Sequence, residues 1–333
     1  MINMKKAVAA ILLTFASLTT TAQADCWDSS CNDCCPDITV GVDWLYWSPC
    51  INDRHFALTT DGVDVNTHYF CNEWDFGSRV YAKLGNWWNG FNGALIYTYI
   101  NPKTSSSLKS DAIILSVAAP DEIPSFNDLD AKWELQYQTL DAVLSYSIDV
   151  TQNRCFKIEV FSGLTWIDVK QKTEYVFDLN EGGFTNRNFD RQNDFWAVGP
   201  CLGLNSSFSF FDCFKIFGTL KTNLVVGETA SKDVLFRKVA GDEKDSVKDE
   251  ILTTCKVKDR CFCLPGLHLA SGIEYEICLY ETTFGLRLGW EYVQWINAPT
   301  FPCYELDGSR VRSAPSTNNL TMQGIFFGLN STF

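Results

Sequence analysis

Cysteine and histidine are the residues of this chain whose types most invite chemistry: 14 cysteines against three histidines, His55, His68 and His268. Thiolates and imidazoles bind zinc when they are presented in pairs at short spacing. Cys31, Cys34 and Cys35 are close together, as are Cys255, Cys261 and Cys263, but only one of the histidines lies near either group. No metal site is expected. Nucleophilic catalysis needs a nucleophile, a base and an orienting group within reach of one another. Asp194 and Asp212 offer carboxylates, yet no Ser–His spacing and no paired-acid arrangement accompanies them. No catalytic residues are expected, so the chain reads as a non-enzyme, and no cofactor is implied.

The N-terminus indicates where the cysteines would reside. Lys5 and Lys6 precede an apolar run, Ala7 to Ala16, and the triplet Ala22-Gln23-Ala24 follows a threonine-rich stretch. A charged head, a short apolar segment and a small-x-small site form a secretory signal peptide. Residues 1–24 are therefore expected to be removed. All 14 cysteines lie beyond this segment, and in an exported chain they are expected to form disulfides. The loss of Lys5 and Lys6 leaves 25 basic and 40 acidic side chains, a formal charge of −15. Such a surface argues against nucleic acid, which is bound by neutralising phosphates with Lys and Arg.

The elements that must carry these residues are strands. After residue 24 no apolar stretch is long enough for a membrane-spanning helix. Alternation with period two recurs instead. Phe76, Ser78, Val80, Ala82 and Leu84 share one face, with Arg79, Tyr81 and Lys83 on the other. Phe284, Leu286, Leu288, Trp290 and Tyr292 oppose Arg287 and Glu291 in the same way. Ten such strands are predicted, at 38–47, 73–85, 90–101, 131–149, 155–170, 194–210, 213–227, 264–278, 281–296 and 318–333. Residues 111–118 and 173–179 could add a hairpin or extend their neighbours. Connections of about 20 to 36 residues alternate with tight turns, as in an up-and-down transmembrane barrel. The fold class is thus all-β: a single closed antiparallel transmembrane β-barrel of about 10–12 strands. Its expected parts are the signal peptide (1–24), a cysteine-rich periplasmic segment (25–37) and the barrel (38–333).

Aromatic residues supply a second signal. Trp44, Tyr46, Trp47, Trp74, Tyr97, Tyr99, Trp133, Trp166, Trp196, Trp290 and Trp295 fall where strands meet long loops. Trp87, Trp88, Tyr146, Tyr275 and Tyr280 fall near the short turns. These are expected to be the two interfacial girdles of a membrane barrel. Ile325, Phe327, Leu329 and the terminal Phe333 share one face of the last strand, the pattern of an outer-membrane assembly signal. Because lipid offers no hydrogen bonds, the first strand is expected to pair with the last.

The polar phase of the strands is expected to face inward. Arg79, Lys83, Glu159, Lys221, His268, Glu274, Arg287 and Glu291 are the candidate pore-lining residues. Asp141, Lys157, Lys215 and Glu276 share their phase. The candidate disulfide cysteines divide between two rims. Cys26, Cys31, Cys34, Cys35, Cys155, Cys213 and Cys278 are expected at the periplasmic end. Cys50, Cys71, Cys255, Cys261, Cys263 and Cys303 are expected in the outer loops, leaving Cys201 alone within a strand.

Several segments resemble a known family: Leu45-Tyr46-Trp47-Ser48-Pro49, Phe195-Trp196-Ala197-Val198-Gly199-Pro200 continuing through Leu202-Gly203-Leu204-Asn205-Ser206, Arg287-Leu288-Gly289-Trp290-Glu291, and the C-terminal strand. They resemble the Legionella-type major outer membrane protein family of pore-forming proteins, whose members include MOMP-like proteins of environmental chlamydiae. The resemblance implies a porin-like barrel in the outer membrane of a Gram-negative bacterium, with surface-exposed loops. It implies passive diffusion of small solutes, and the cysteine load resembles the chlamydial branch, with its disulfide-stiffened envelopes. Expected partners are outer-membrane lipid, small solutes, and disulfide-linked envelope proteins or further copies of the chain. The formal −15 leans toward cations. The alternative is a structural or adhesive surface protein anchored by a largely plugged barrel.

Overall fold

The computed structural model describes residues 37–51, 55–60, 65–70, 73–88, 90–115, 126–150, 156–178, 186–211, 213–240, 247–279, 282–301, 303–307, 310–314 and 316–333. The expected signal peptide, most of the 25–37 segment, and Cys26, Cys31, Cys34, Cys35, Cys71 and Cys155 lie outside the described residues. The strands are β1 (Ile38–Ile51), β2 (His55–Thr60), β3 (Val65–Tyr69), β4 (Asp75–Trp88), β5 (Phe91–Ile100), β6 (Lys103–Leu115), β7 (Phe126–Asp149) and β8 (Phe156–Asp178). They continue as β9 (Asn186–Phe211), β10 (Phe214–Ala240), β11 (Val247–Leu279), β12 (Thr282–Pro299), β13 (Cys303–Asp307), β14 (Arg310–Ala314) and β15 (Thr317–Thr332).

Ten of these strands close into a ring in the order β1-β15-β12-β11-β10-β9-β8-β7-β5-β4. Each pairs antiparallel with its neighbours. Closure occurs between the first and last strands, from Thr39 opposite Thr332 to Ile51 opposite Leu320. Ile38 N–H donates to Phe333 O at 3.1 Å, and Phe333 N–H returns the bond to Ile38 O at 2.9 Å. Sheet closure satisfies every ladder group internally, which hydrocarbon demands. Both ends of the barrel chain and the tight β4–β5, β7–β8, β9–β10 and β11–β12 connections share one rim, the periplasmic one.

The wall carries a broad apolar band. Leu140, Ala142, Leu144, Tyr146 and Ile148 point outward from β7, and Val160, Leu164 and Trp166 from β8. Leu144, Leu164 and Leu202 are each more than half exposed, at 55%, 58% and 59%. A water-soluble protein rarely exposes a contiguous apolar patch beyond a few hundred Å². The band is the lipid-facing surface, and Leu286 and Trp290 lie in it as expected.

Above the band the polarity of the wall inverts. On β7 the outward positions become Gln138, Gln136, Glu134 and Lys132, while Tyr137, Leu135, Trp133, Ala131 and Leu129 turn into the interior. On β8 the outward series becomes Asp168, Lys170, Lys172 and Glu174, opposite buried Ile167, Val169, Tyr175 and Phe177. The strands therefore run well past the predicted boundaries. Segments predicted to be long loops after Lys170 and Gly227 are continuations of β8 and β10 and their partners. Residues 111–115 belong to β6, which pairs with β7 beyond the end of β5, and 173–178 extend β8. The first loop contributes the β2–β3 hairpin, joined to β6 through Ala57–Thr59. The last loop holds the separate β13–β14 pair.

This inversion corrects the girdle. Trp44, Trp74, Trp196 and Trp290 face outward, but Trp47, Trp133 and Trp295 are buried inside. A ring at a strand end next to a loop can point either way; the phase decides, and these three have odd-numbered inward phase with Leu45, Leu135 and Val293. The side chains of Trp87, Trp88 and Tyr280 lie outside the described residues. Outside, Tyr46 stacks on Trp74 at 5.2 Å, and Trp74 meets Trp290 edge-on at 6.1 Å, a continuous aromatic seam over the closure strands.

Inward rings lie flat against the wall where a neighbouring strand has glycine. A Cβ at Gly203 would fall 2.3 Å from Phe161 Cζ, and one at Gly41 would fall 2.3 Å from Tyr81 Cζ. Glycine is required there by close approach rather than by its backbone angles.

Candidate functional site: the lumen and its apolar closure

Alternation within the band turns every second side chain inward, so the lumen is built from single residues on many strands. All eight candidate pore-lining residues have this inward phase. Seven of them, Arg79, Lys83, Glu159, Lys221, His268, Arg287 and Glu291, line a central cavity of about 140 Å³ together with Asp43 and Asp141. Glu274 lies nearer the periplasmic rim, where Asn330 Nδ2 donates to it at 2.7 Å. Lys215 and Glu276 form a further pair there at 2.5 Å.

The charged side chains are knitted together. Glu291, with no exposed side-chain surface, takes Arg79 Nη2 at 2.5 Å on Oε1, and His268 Nε2 contacts the same oxygen. Arg79 Nη1 also reaches Asp43 Oδ2 at 3.4 Å. Arg287 donates to Tyr81 Oη at 3.3 Å and stands 3.8 Å from Asp43 Oδ1. Lys221 pairs with Asp141 at 2.7 Å, whose other oxygen accepts from Thr165. Glu159 accepts from Ser145, Asn92 and Asn205. Lys83 lies with its ammonium 5.4 Å from the Tyr81 ring centre. Within the cavity wall four acids face four Lys or Arg, so the lumen does not share the negative charge of the whole chain.

On the extracellular side the cavity ends at an apolar floor. Trp47, Tyr137, Val293 and Trp295 line the cavity and also belong to the buried apolar core above it. Trp295 Nε1 donates to Tyr137 Oη at 3.1 Å. Trp295 is on β12 and Tyr137 on β7, five strands apart in either direction around the ring, so this bond spans the full width of the barrel. A bulge follows Trp295 on β12, with Asn297 at φ 57°, and interrupts the pairing with β15 until Ala298. Phe56, Ala57 and Phe70, from the first loop, add to the core from above.

These closure residues were not foreseen as a site. Their signal was present: alternation continues from Leu140 into Tyr137, Leu135 and Trp133 with the apolar phase shifted by one residue. A period search that ends a strand where its apolar face stops discards that information.

The cysteines are distributed differently from the expectation. Cys50 lies in β1, Cys255, Cys261, Cys263 and Cys278 in β11, and Cys303 in β13, so Cys201 is not alone within a strand. For Cys50, Cys255, Cys261 and Cys263 the reason is again the continuation of strands beyond the apolar band, whereas Cys278 ends the strand predicted at 264–278 and Cys303 keeps its place in the last loop. Among the described residues, Cys50, Cys201, Cys213, Cys261, Cys263 and Cys278 carry free thiols. Cys213 and Cys278 are exposed at the periplasmic rim, and Cys261 and Cys263 on one face of β11. Among the described residues no group of three or more potential ligands could hold a metal ion.

Outside the band, ordinary electrostatics return. The Lys103 ammonium, 3.0 Å from Glu134, holds that carboxyl below its usual range, and burial pushes the Asp194 carboxyl up.

Solved structures similar to the chain include the outer membrane protease OmpT of Escherichia coli, with 12% identity, 89% of this chain and 97% of that one covered, and a TM-score of 0.44. The toluene transporter TodX of Pseudomonas putida has 8% identity over 89% of each chain, TM-score 0.32. Ail, the attachment invasion locus protein of Yersinia pestis, has 7% identity over 90% of this chain and 99% of its own, TM-score 0.24. No curated protein matches the chain. The model of the Legionella pneumophila major outer membrane protein precursor matches residues 33–333. An outward apolar band on a closed ten-stranded ring and this match agree: the chain is an outer-membrane β-barrel of a Gram-negative bacterium and belongs to the Legionella major outer membrane protein family.

Proposed function

We propose that the chain is a porin-like conduit passing small hydrophilic solutes by diffusion. The observation that carries this reading is the lumen within the apolar band. Ionisable side chains from seven strands, β1, β4, β7, β8, β10, β11 and β12, converge on one cavity there. Burying that many charges inside a mere anchor would serve no purpose, since an apolar filling is at least as stable as a buried ion network. The balance of acids and bases favours weak ion selectivity rather than the cation preference suggested by net charge. Ten strands give a narrow bore, so permeant solutes are small. Exposed Cys213 and Cys278 are the residues assigned here to bonding with envelope proteins or sister chains.

A second reading keeps a specific observation in its favour. The apolar core above the cavity draws on every barrel strand except β4, as expected of a plugged anchor that displays surface structure. Planar bilayers separate the two. Stepwise conductance from refolded full-length protein supports the conduit; a folded barrel that stays silent, whatever is done to its closure, supports the anchor.

A further inference from the structure

We propose that Trp47, Tyr137, Val293 and Trp295 form a hydrophobic gate across the lumen, and that wetting of this layer limits passage. The inference rests on the conduit reading above.

These observations place the gate. The four side chains are the boundary between two environments, lining the polar cavity on one side and the buried core on the other. All are nearly inaccessible, Trp47 at 1% and Trp295 at 2%. The Trp295–Tyr137 bond links diametrically opposed strands, so the layer bridges the lumen from wall to wall. Below it, Arg79 approaches the Trp47 ring at 5.8 Å, so the charged network abuts the apolar layer directly.

The physics of such a layer differs from that of a simple narrowing. Water withdraws from a narrow apolar constriction, and an ion must then shed hydration that nothing replaces. Small neutral solutes are penalised less than ions of the same size. A single polar group in the layer lets water remain and opens the path without enlarging it. A narrowing that is merely steric responds to volume and not to polarity.

The experiment compares full-length wild type with Val293→Thr, Tyr137→Phe and Trp295→Ala in planar bilayers, with folding of each verified by heat-modifiable gel migration. Val293→Thr changes polarity at nearly constant volume, so it keeps the test decisive if Trp295→Ala fails to assemble. A gate gives at least a threefold rise in mean current for Val293→Thr. Tyr137→Phe, which removes a polar group, gives no rise in current, and Trp295→Ala gives larger steps and faster uptake of larger sugars by liposomes. A wild type that is silent beside a conducting Val293→Thr supports both the gate and the conduit. A conducting wild type with an unchanged Val293→Thr overturns the gate and leaves the conduit standing, even if Trp295→Ala gains current. Four folded, silent proteins overturn the conduit itself.

Discussion

Arg79 Nη2 and Glu291 Oε1 meet at 2.5 Å across the lumen, from β4 and β12, with β1 and β15 lying between them in the wall. Glu291 also engages His268, and its side chain has no accessible surface. Removing its charge leaves the buried Arg79 guanidinium with only the longer 3.4 Å contact to Asp43 as counter-charge. Glu291→Gln is therefore expected to cost about 3–5 kcal/mol, the usual penalty for breaking a buried pair on one side. Replacing both Arg79 and Glu291 with methionine is expected to recover most of that loss. Urea unfolding from lipid vesicles, followed by tryptophan fluorescence, measures both. Equal destabilisation by the single and double variants would show that the pair does not act as a unit.

Glycine positions in the barrel wall are not equivalent. A Cβ at Gly203 would meet Phe161 Cζ at 2.3 Å and the Leu220 carbonyl oxygen at 2.4 Å, one ring and one backbone atom. At Gly93 the nearest atom is Leu144 Cδ2 at 3.9 Å, an ordinary contact. Gly203→Ala is expected to destabilise by about 1–3 kcal/mol through overpacking. Gly93→Ala is expected to cause little change or a slight gain from reduced freedom of the unfolded chain. The difference in urea midpoint between the two variants is the readout. Similar midpoints would mean that the Phe161 ring and the β10 backbone yield more easily than a packed wall should.

Much of the barrel was legible in the sequence because two constraints act on the same residues. Lipid outside and water inside force strict alternation between Phe284 and Tyr292. Closure then forces the terminal strand ending at Phe333 to find Ile38. The ten ring strands and the inward phase of Arg79, Lys83 and Arg287 follow from these alone. What was not legible is the stretch of wall above the membrane. There the solvent lies outside, so the apolar face must turn inward, and Gln138, Gln136 and Glu134 look like loop composition when only outward greasiness is sought. The same inversion hides the gate, because Trp47 and Trp295 look like girdle residues until the pairing partner of each strand is known. Cross-lumen contacts such as Trp295–Tyr137 join positions 158 residues apart, which no local pattern encodes.

The inversion makes its own prediction. Leu164, at 58% exposure, points into lipid from β8, whereas Gln136, also outward, stands above the band on β7. An arginine near the bilayer midplane costs about 2–4 kcal/mol, and one beyond the interface about 0–1. Leu164→Arg should therefore lower barrel stability by the larger amount, with Gln136→Arg close to neutral. Folding yields into vesicles and urea midpoints test the contrast. Comparable losses at both sites would place hydrocarbon further up the wall than the polarity switch indicates.

Alkaline pH should probe the extracellular half of the barrel separately. Tyr175 is buried above the membrane band and stacks on Phe189 at 5.9 Å. Burial pushes its phenol up from 10.0 to about 12. A folded-state value above the unfolded one contributes stability that is fully present below pH 10 and declines as pH rises toward 12. In that window the unfolded chain gains by ionising while the folded chain does not. The loss for this one group amounts to about 2–3 kcal/mol once both states are ionised. Tyr175→Phe removes the ionising group, so its urea midpoint should fall less between pH 9.5 and 12 than that of wild type, which loses this contribution progressively. Tyrosinate absorbance during the same titration identifies the late-titrating phenol by its disappearance in the variant. Parallel midpoint curves for variant and wild type would mean that water reaches Tyr175 and that the upper core is not packed around it.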